Sequence, residues 1–166
     1  MKITKNERQE AILKLIREKV ISTQEELAMR LLERGLQVTQ ATISRDIKDL
    51  GIIKVTTVGG QTKYCVLDRT GDVAPGRLLS VFLNCVIACD LSMHLVVIKT
   101  LPGMAQAAAS ALDSLHLDGI VGTIAGDDTV FVATPNTDEA IALRQTLRDL
   151  HARLKESEQD DPEATT

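Results

Sequence analysis

The 166-residue sequence is poor in aromatic residues: it has no tryptophan, one tyrosine and two phenylalanines. It contains no run approaching the ~18 apolar residues of a membrane span, and Met1–Arg8 lacks the apolar core of a signal peptide. We therefore expect a soluble protein of the reducing cytoplasm, with no membrane partner. Apolar residues make up 44% of the chain and charged residues 25%, which excludes collagenous and wholly disordered classes.

Cysteine is also scarce. Cys65, Cys85 and Cys89 make an odd number with no tight pair. A metal site would require further Cys or His ligands close by, and the sequence offers none. We therefore expect buried structural cysteines and no bound metal.

The two parts of the chain differ in charge. Residues 1–70 carry 13 Lys and Arg against 9 Asp and Glu, whereas residues 71–166 carry 6 against 14. A basic first part joined to an acidic second part suggests a polyanion-binding module attached to a domain with another role.

Residues 38–50 predict a short helix. Thr39 can cap its first turn, and Gly51 suits the left-handed residue that ends its last turn. At 100° per residue, three apolar side chains fall on one face: Ile43, Ile47 and Leu50.

The opposite face of this helix is polar. It has the small residue Ala41 at its centre and two cations, Arg45 and Lys48, with Ser44 on its flank. Small and hydrogen-bonding side chains on an outer face suit a helix that enters a DNA groove. A solvated surface helix has a similar face, so the neighbouring elements must distinguish the two.

Two helices are predicted before this one. Thr4 with Glu7 and Thr23 with Glu26 have the spacing of capping boxes. The first helix should continue to about Lys19. The second should bury Leu27, Leu31 and Leu32 and end at Gly35.

Two β-type runs follow, at residues 52–57 and 62–67, and Gly59-Gly60 supplies the positive φ values of a tight turn between them. Three helices and a hairpin predict a winged helix-turn-helix over residues 1–68. Lys54 and Lys63 would lie on the wing, where they could meet phosphate. This context favours DNA binding by the helix at 38–50.

The rest of the chain predicts a second domain. Residues 69–78 contain two Gly and one Pro without periodicity, which indicates a linker. Residues 79–155 predict an α+β domain of order ββαββα, so the protein is a multi-domain α/β chain. We expect strands at 78–89, 93–99, 120–125 and 129–133, and helices at 102–115 and 137–154. The acidic tail at 156–166 lacks large apolar residues, and we expect it to be disordered.

Self-association is expected on two grounds. A domain of roughly 80 residues is near the lower limit for a comfortable core, and its helix at 104–112 has small side chains that permit close approach. A module that reads palindromic DNA also requires at least a dimer.

The candidate ligand-binding residues lie in the second domain. Asp127 and Asp128 can form a hairpin turn, but adjacent carboxylates repel each other unless a cation lies nearby, and together they can bind a guanidinium or ammonium. Gln106 and Asp113 are seven residues apart and share a helix face, which could be a binding face or only a solvated one. Ser110, Ser114, His94 and His116 show no triad or metal spacing, so we expect no enzyme.

Three segments together resemble the bacterial arginine repressor family, over about residues 6–154. Residues 38–50, VTQATISRDIKDL, are similar to that family's recognition helix. Leu101-Pro-Gly103 and the segment 122–129, GTIAGDDT, are similar to its effector-domain signatures. Met104 departs from the small or polar residue that many relatives have after Pro-Gly, which affects only local packing.

The resemblance implies a cytoplasmic transcriptional regulator whose C-terminal domains form trimers that stack into a hexamer, with L-arginine bound between the trimers. Such a protein binds palindromic double-stranded operator DNA, represses arginine biosynthesis genes with L-arginine as co-repressor, and in some relatives activates catabolic genes or assists recombination. By position, the residues implied to contact DNA are Gln40, Thr42, Ser44, Arg45 and Lys48. Those implied to hold L-arginine are Gln106, Asp113, Asp127 and Asp128.

Two other functions remain open. The protein could be a winged-helix regulator that responds to another cationic amino acid, such as lysine or ornithine. It could also be an amino-acid-binding allosteric protein or enzyme whose basic N-terminal domain binds protein rather than DNA.

Overall fold

The computed structural model describes residues 3–66 and 75–159. The N-terminal part contains α1 (Lys5–Glu18), α2 (Gln24–Glu33), α3 (Gln40–Asp49), β1 (Ile52–Thr56) and β2 (Thr62–Val66). The C-terminal part contains α4 (Pro75–Cys85), β3 (Val86–Ser92), β4 (Leu95–Thr100), α5 (Ala105–Ser114), β5 (Gly122–Ala125), β6 (Thr129–Ala133) and α6 (Thr137–Gln159).

The N-terminal helices begin at the residues that the sequence predicts. Thr4 and Glu7 form a complete capping box at α1, and the hydroxyl oxygen of Thr23 accepts a hydrogen bond from the Glu26 N–H at α2. The second box differs from the prediction in one detail, because the Glu26 carboxylate accepts from the Ser22 N–H. These contacts satisfy backbone donors that the first turns leave unpaired.

The three helices share one core with the hairpin. Its buried members include Ile12, Leu15, Leu27, Leu31 and Ile43. The prediction that Leu32 is buried is wrong: its side chain is exposed, since Leu31 and Leu27 already fill the inner face of α2.

The hairpin is antiparallel, and Thr56 pairs with Thr62 next to its turn. Gly59 and Gly60 have φ values of 101° and 84°, which side chains rarely adopt. The structure therefore confirms the three helices and the wing.

The first element of the C-terminal part corrects a prediction. The apolar run from Leu78 to Cys89 is not one strand: helix α4 occupies Pro75–Cys85, and β3 starts at Val86 with no connecting residue. The order is therefore αββαββα. Helix α4 also begins inside the expected linker, of which residues 69–74 lie outside the described residues.

The remaining elements follow the predicted order. The sheet has strand order β3-β4-β6-β5 and is antiparallel throughout. Helices α5 and α6 contact the sheet, and their core includes Val96, Ile98, Val130 and Val132. This arrangement confirms the α+β architecture.

The small side chains of α5 have a role within the chain. Ala105, Ala108, Ala109 and Ala111 are buried, and α4 packs against this helix. Because methyl groups take little room, the two helices approach closely. The small residues therefore need no second subunit to explain them.

The cysteines and the last helix complete the fold. Cys85 and Cys89 are buried and Cys65 is half-buried, and these three thiols form no disulfide with one another. Burial raises the pKa of the Cys89 thiol to about 11, which keeps it protonated. The prediction of disorder from residue 156 is wrong at its start, since α6 continues to Gln159; residues 160–166 lie outside the described residues.

Candidate DNA-binding and effector sites

Helix α3 presents a polar face to solvent. Gln40, Arg45 and Lys48 are exposed, and Ser44 is half-buried beside them. The Thr42 hydroxyl instead lies 2.9 Å from that of Thr39, at the start of the helix. All five predicted DNA-contacting side chains are thus exposed or half-buried, but the Thr42 hydroxyl is engaged with Thr39 at the helix cap.

Asp46, which the sequence pattern did not single out, ties α3 to α1. It is 1% exposed and accepts hydrogen bonds from Arg8 Nε, from Arg8 Nη2 at 3.1 Å and from Gln9 Nε2 at 3.0 Å. Burial alone would raise the pKa of Asp46, but the hydrogen bonds and the positive charge of Arg8 lower it below 3.8. A signal was available, because residue 46 lies 60° from Ile43 on the helical wheel, and a carboxylate there requires a partner.

A second link joins the same two helices at the surface. Lys5 Nζ lies 2.7 Å from Asp49 Oδ2, with both side chains about half exposed. Helix α1 therefore neutralises both carboxylates of α3. The charges that α3 offers to a polyanion are those of Arg45 and Lys48, so this helix presents a cationic face despite its own acidic residues.

The two wing lysines lie in different surroundings. Lys54 Nζ lies 5.8 Å from the centroid of the Tyr64 ring, a cation–π contact. Lys63 lines a cavity of about 330 Å³ between the hairpin and the C-terminal part, together with Asp118 and Glu139. Lys63 thus shares this cavity with two acidic residues of its own chain, and its predicted contact with phosphate stays a prediction.

The predicted effector residues come together along one edge of the C-terminal part. Gln106 Nε2 donates to the Ala125 carbonyl oxygen at 3.3 Å, and the Thr123 hydroxyl donates to the Asp113 carboxylate at 2.8 Å. Gln106 and Asp113 therefore share the face of α5 that lies against β5. Strand β5 leads directly into the turn that carries the two aspartates.

The turn between β5 and β6 is held by its backbone. The carbonyl oxygen of Asp128 accepts from the Thr100 N–H at 2.8 Å, and that of Asp127 from the Ala105 N–H at 3.2 Å. The turn thus joins the end of β4 to the start of α5. Both carboxylates remain exposed.

The two carboxylates differ in their surroundings. Asp128 Oδ1 accepts from the Thr129 hydroxyl at 2.7 Å and lies 3.6 Å from Lys99 Nζ. The hydrogen bond from Thr129 and the charge of Lys99 lower the pKa of Asp128 below 3.8. A cation of the chain itself therefore offsets part of the predicted repulsion at the turn, so this repulsion alone does not require an external cation.

This cluster combines an amide, exposed carboxylates and ordered turn backbone. Carboxylates of this kind can take a guanidinium through paired hydrogen bonds. Within residues 3–66 and 75–159, no group of three His, Cys, Asp or Glu side chains could hold a metal ion. No helix in those ranges is both long and apolar enough to cross a bilayer.

Comparison with known proteins gives consistent matches for both parts. Residues 3–72 match the family model described as the arginine repressor DNA-binding domain, and residues 82–149 match that of the arginine repressor C-terminal domain. The arginine repressor of Acetivibrio thermocellus is 52% identical over 128 residues, which cover 77% of this chain and 84% of that protein. The arginine repressor of Heliobacterium modesticaldum is 45% identical over 146 residues, which cover 87% and 97%.

Proposed function

The chain belongs to the arginine repressor family, and from this premise we propose that it represses arginine biosynthesis genes in the cytoplasm, with L-arginine as co-repressor. It is a transcriptional regulator and not an enzyme. DNA binding is assigned to residues 1–68, and effector binding and assembly to residues 79–155. The observation that carries the proposal is the cationic outer face of α3, whose own carboxylates are tied to α1.

Operator recognition is assigned to α3. Arg45 and Ser44 contact base edges or phosphate, and Gln40, Thr42 and Lys48 add further contacts. A guanidinium can form two hydrogen bonds with guanine in the major groove, whereas an ammonium acts mainly as a charge near phosphate. The exposure of Arg45 and Lys48 supports these roles.

L-arginine binding is assigned to the cluster of Gln106, Asp113, Asp127 and Asp128. The exposed turn carboxylates suit the guanidinium of the ligand, and the side chains on α5 suit its polar groups. Since a ligand shifts an equilibrium only by its differential affinity, L-arginine acts as co-repressor by binding the DNA-competent assembly more tightly.

Assembly is assigned to the uncovered face of the sheet. Ile124 on β5 pairs with Phe131 on β6, which pairs with Val97 on β4. Ile124 and Phe131 are 71% and 46% exposed. Two exposed apolar side chains on neighbouring strands, with the half-buried Val97 next to them, support burial against another subunit. We assign this face to homo-oligomer formation, through a trimer to a hexamer.

Selection from a randomised duplex library, with and without L-arginine, tests the proposal. We expect inverted half-sites to be enriched only with L-arginine, since a symmetric oligomer reads a palindrome. Titration of the selected operator should then show tighter binding as L-arginine rises. L-citrulline is the matched control because it replaces the guanidinium with a neutral group.

The alternatives give different results in the same assays. If lysine or ornithine supports binding and L-arginine does not, the effector is another cationic amino acid. A thermal-shift panel of these amino acids checks independently which of them binds most tightly, because a ligand that binds more tightly stabilises the folded protein more. If duplex binding does not weaken with salt, phosphate contacts are absent, and the N-terminal part binds something other than DNA.

A further inference from the structure

The hairpin β1–β2 has two buried faces. Successive side chains of a strand point to opposite sides, and on β1 the neighbours Ile52 and Ile53 are 5% and 1% exposed. Ile52 belongs to the core of the N-terminal helices, whereas Ile53 belongs to the core of the C-terminal part. Strand β1 is therefore part of both cores.

The other residues of the hairpin divide in the same way. Tyr64 and Val66 pack with the N-terminal helices, and Val55 and Cys65 pack with the C-terminal core. A hairpin on the outside of a winged helix needs only one apolar face, because its other face meets water. Here both faces are apolar, so the sequence encodes a layer between two domains.

A polar contact fixes the position of this layer. The Thr56 N–H, at the end of β1, donates to the Thr146 hydroxyl oxygen on α6 at 2.8 Å. Thr146 is 3% exposed. Loss of a partner for a backbone donor that is partly shielded from water costs stability, so this bond favours one position of the hairpin along α6.

We propose that the hairpin mounts the DNA-reading helix rigidly on the C-terminal domain, and that Ile53 and Thr146 are positioning residues for operator binding. The inference rests on the proposed function and deepens it. When one N-terminal domain of the oligomer occupies a half-site, rigid attachment holds a second N-terminal domain in a fixed position relative to the next half-site. This raises the effective concentration of the second domain at that half-site. N-terminal domains on flexible linkers lack this advantage.

A matched pair of variants at adjacent residues tests this rigid attachment. We compare Ile53→Ala, on the domain-facing side, with Ile52→Ala, on the helix-facing side. Each protein is titrated, in L-arginine, with the selected operator and with a duplex that holds one half-site. For Ile53→Ala we expect half-site affinity within about twofold of the parent and operator affinity at least about tenfold weaker, since linked sites gain ~10²–10⁴ in avidity. For Ile52→Ala both affinities should fall together.

Variants at Thr146 keep the test decisive if Ile53→Ala does not fold. Thr146→Val removes the hydrogen-bond acceptor at nearly constant volume, and Thr146→Ser retains it. The valine variant should lose operator affinity selectively, by about 2–10-fold if one hydrogen bond is lost, and the serine variant should match the parent. A parent-like ratio of operator to half-site affinity in Thr146→Val would overturn the proposal, whether or not Ile53→Ala folds.

A measurement without DNA separates this inference from the proposed function. The single tyrosine, Tyr64, lies in the N-terminal core, so its near-ultraviolet signal reports unfolding of that part. In the parent we expect this signal to coincide with the calorimetric transition of the whole chain. In Ile53→Ala and Thr146→Val it should melt separately and earlier. If the Tyr64 signal and the calorimetric transition already separate in the parent, the rigid attachment of the hairpin is refuted, even if operator binding depends on L-arginine.

Discussion

Replacement of Asp46 tests how α3 is held against α1. The Asp46 side chain is 2% exposed and that of its partner Arg8 is 18% exposed. Removal of one partner of a buried ion pair costs about 3–5 kcal/mol. Because Arg8 can regain water, we expect Asp46→Ala to cost about 3 kcal/mol, at the lower end of that range. Asp46→Asn should cost less, since its amide oxygen still accepts one hydrogen bond.

Asp49→Ala is the matched control. It breaks a link between the same two helices, Lys5–Asp49, whose side chains are 60% and 48% exposed. Exposed pairs contribute about 0–1 kcal/mol, so the control should unfold almost like the parent. Urea denaturation followed through Tyr64 measures both variants, because the chain has no tryptophan to obscure that signal. Equal losses in the two alanine variants would refute the assignment of a buried, stabilising charge.

Acid adds a second test of the same carboxylate. The pKa of Asp46 is lowered in the folded protein, so its contribution is fully present above the ordinary value of 3.8 and is lost as pH falls through the lower, folded value. The parent should therefore lose more stability in that window than Asp46→Asn. Parallel pH profiles would contradict this.

Two further predictions concern the recognition helix and the effector cluster. Arg45→Ala should weaken binding to the selected operator by about 1–3 kcal/mol if Arg45 reads a guanine. Lys48→Ala should weaken binding to all duplexes alike and reduce the slope of log affinity against log salt by about one. Equal effects of Arg45→Ala on the selected operator and on random duplexes would contradict base reading. Asp128→Asn should reduce both L-arginine affinity and arginine-dependent assembly in sedimentation. Asp90→Asn, which neutralises an exposed carboxylate on the opposite edge strand, should do neither; an unchanged Asp128→Asn protein would refute the role of the turn.

The N-terminal part was predictable because its signals are local. Capping residues at Thr4, Thr23 and Thr39 and the glycines of the wing act within a few positions of the chain, so their effect can be read without knowing the fold. Asp46 was not predicted because its partner Arg8 is 38 residues away. The sequence pattern of α3 shows its apolar stripe, but it does not show that α1 places the positive charge of Arg8 beside that stripe.

Helix α4 was missed for a related reason. Leu78, Phe82 and Cys85 have helical spacing, but the run passes into β3 without a Gly or Pro, and Ser80 and Asn84 are its polar residues. A mainly apolar run without turn residues fits either element. The second buried face of the hairpin was equally hidden, since Ile53 and Val55 acquire their meaning only when α6 lies against them.

The effector residues were partly predictable. Spacing alone placed Gln106 and Asp113 on one face of α5, and the structure shows that this face lies against β5. The contact of Lys99 with Asp128 could not be read from spacing, because it depends on how β4 and β6 pair.

The pairing of Lys99 with Asp128 has a consequence for ligand selection. Because the Lys99 ammonium lies 3.6 Å from this carboxylate and offsets part of its charge, a cationic ligand that engages Asp128 competes with Lys99 and must contribute more than its charge. A planar guanidinium, with several donors in a fixed arrangement, can outcompete an ammonium at that carboxylate, whereas the side chains of lysine and ornithine only replace one ammonium with another. Under the proposed effector assignment, Lys99 thus competes with the ligand for Asp128, and this competition favours a guanidinium over an ammonium.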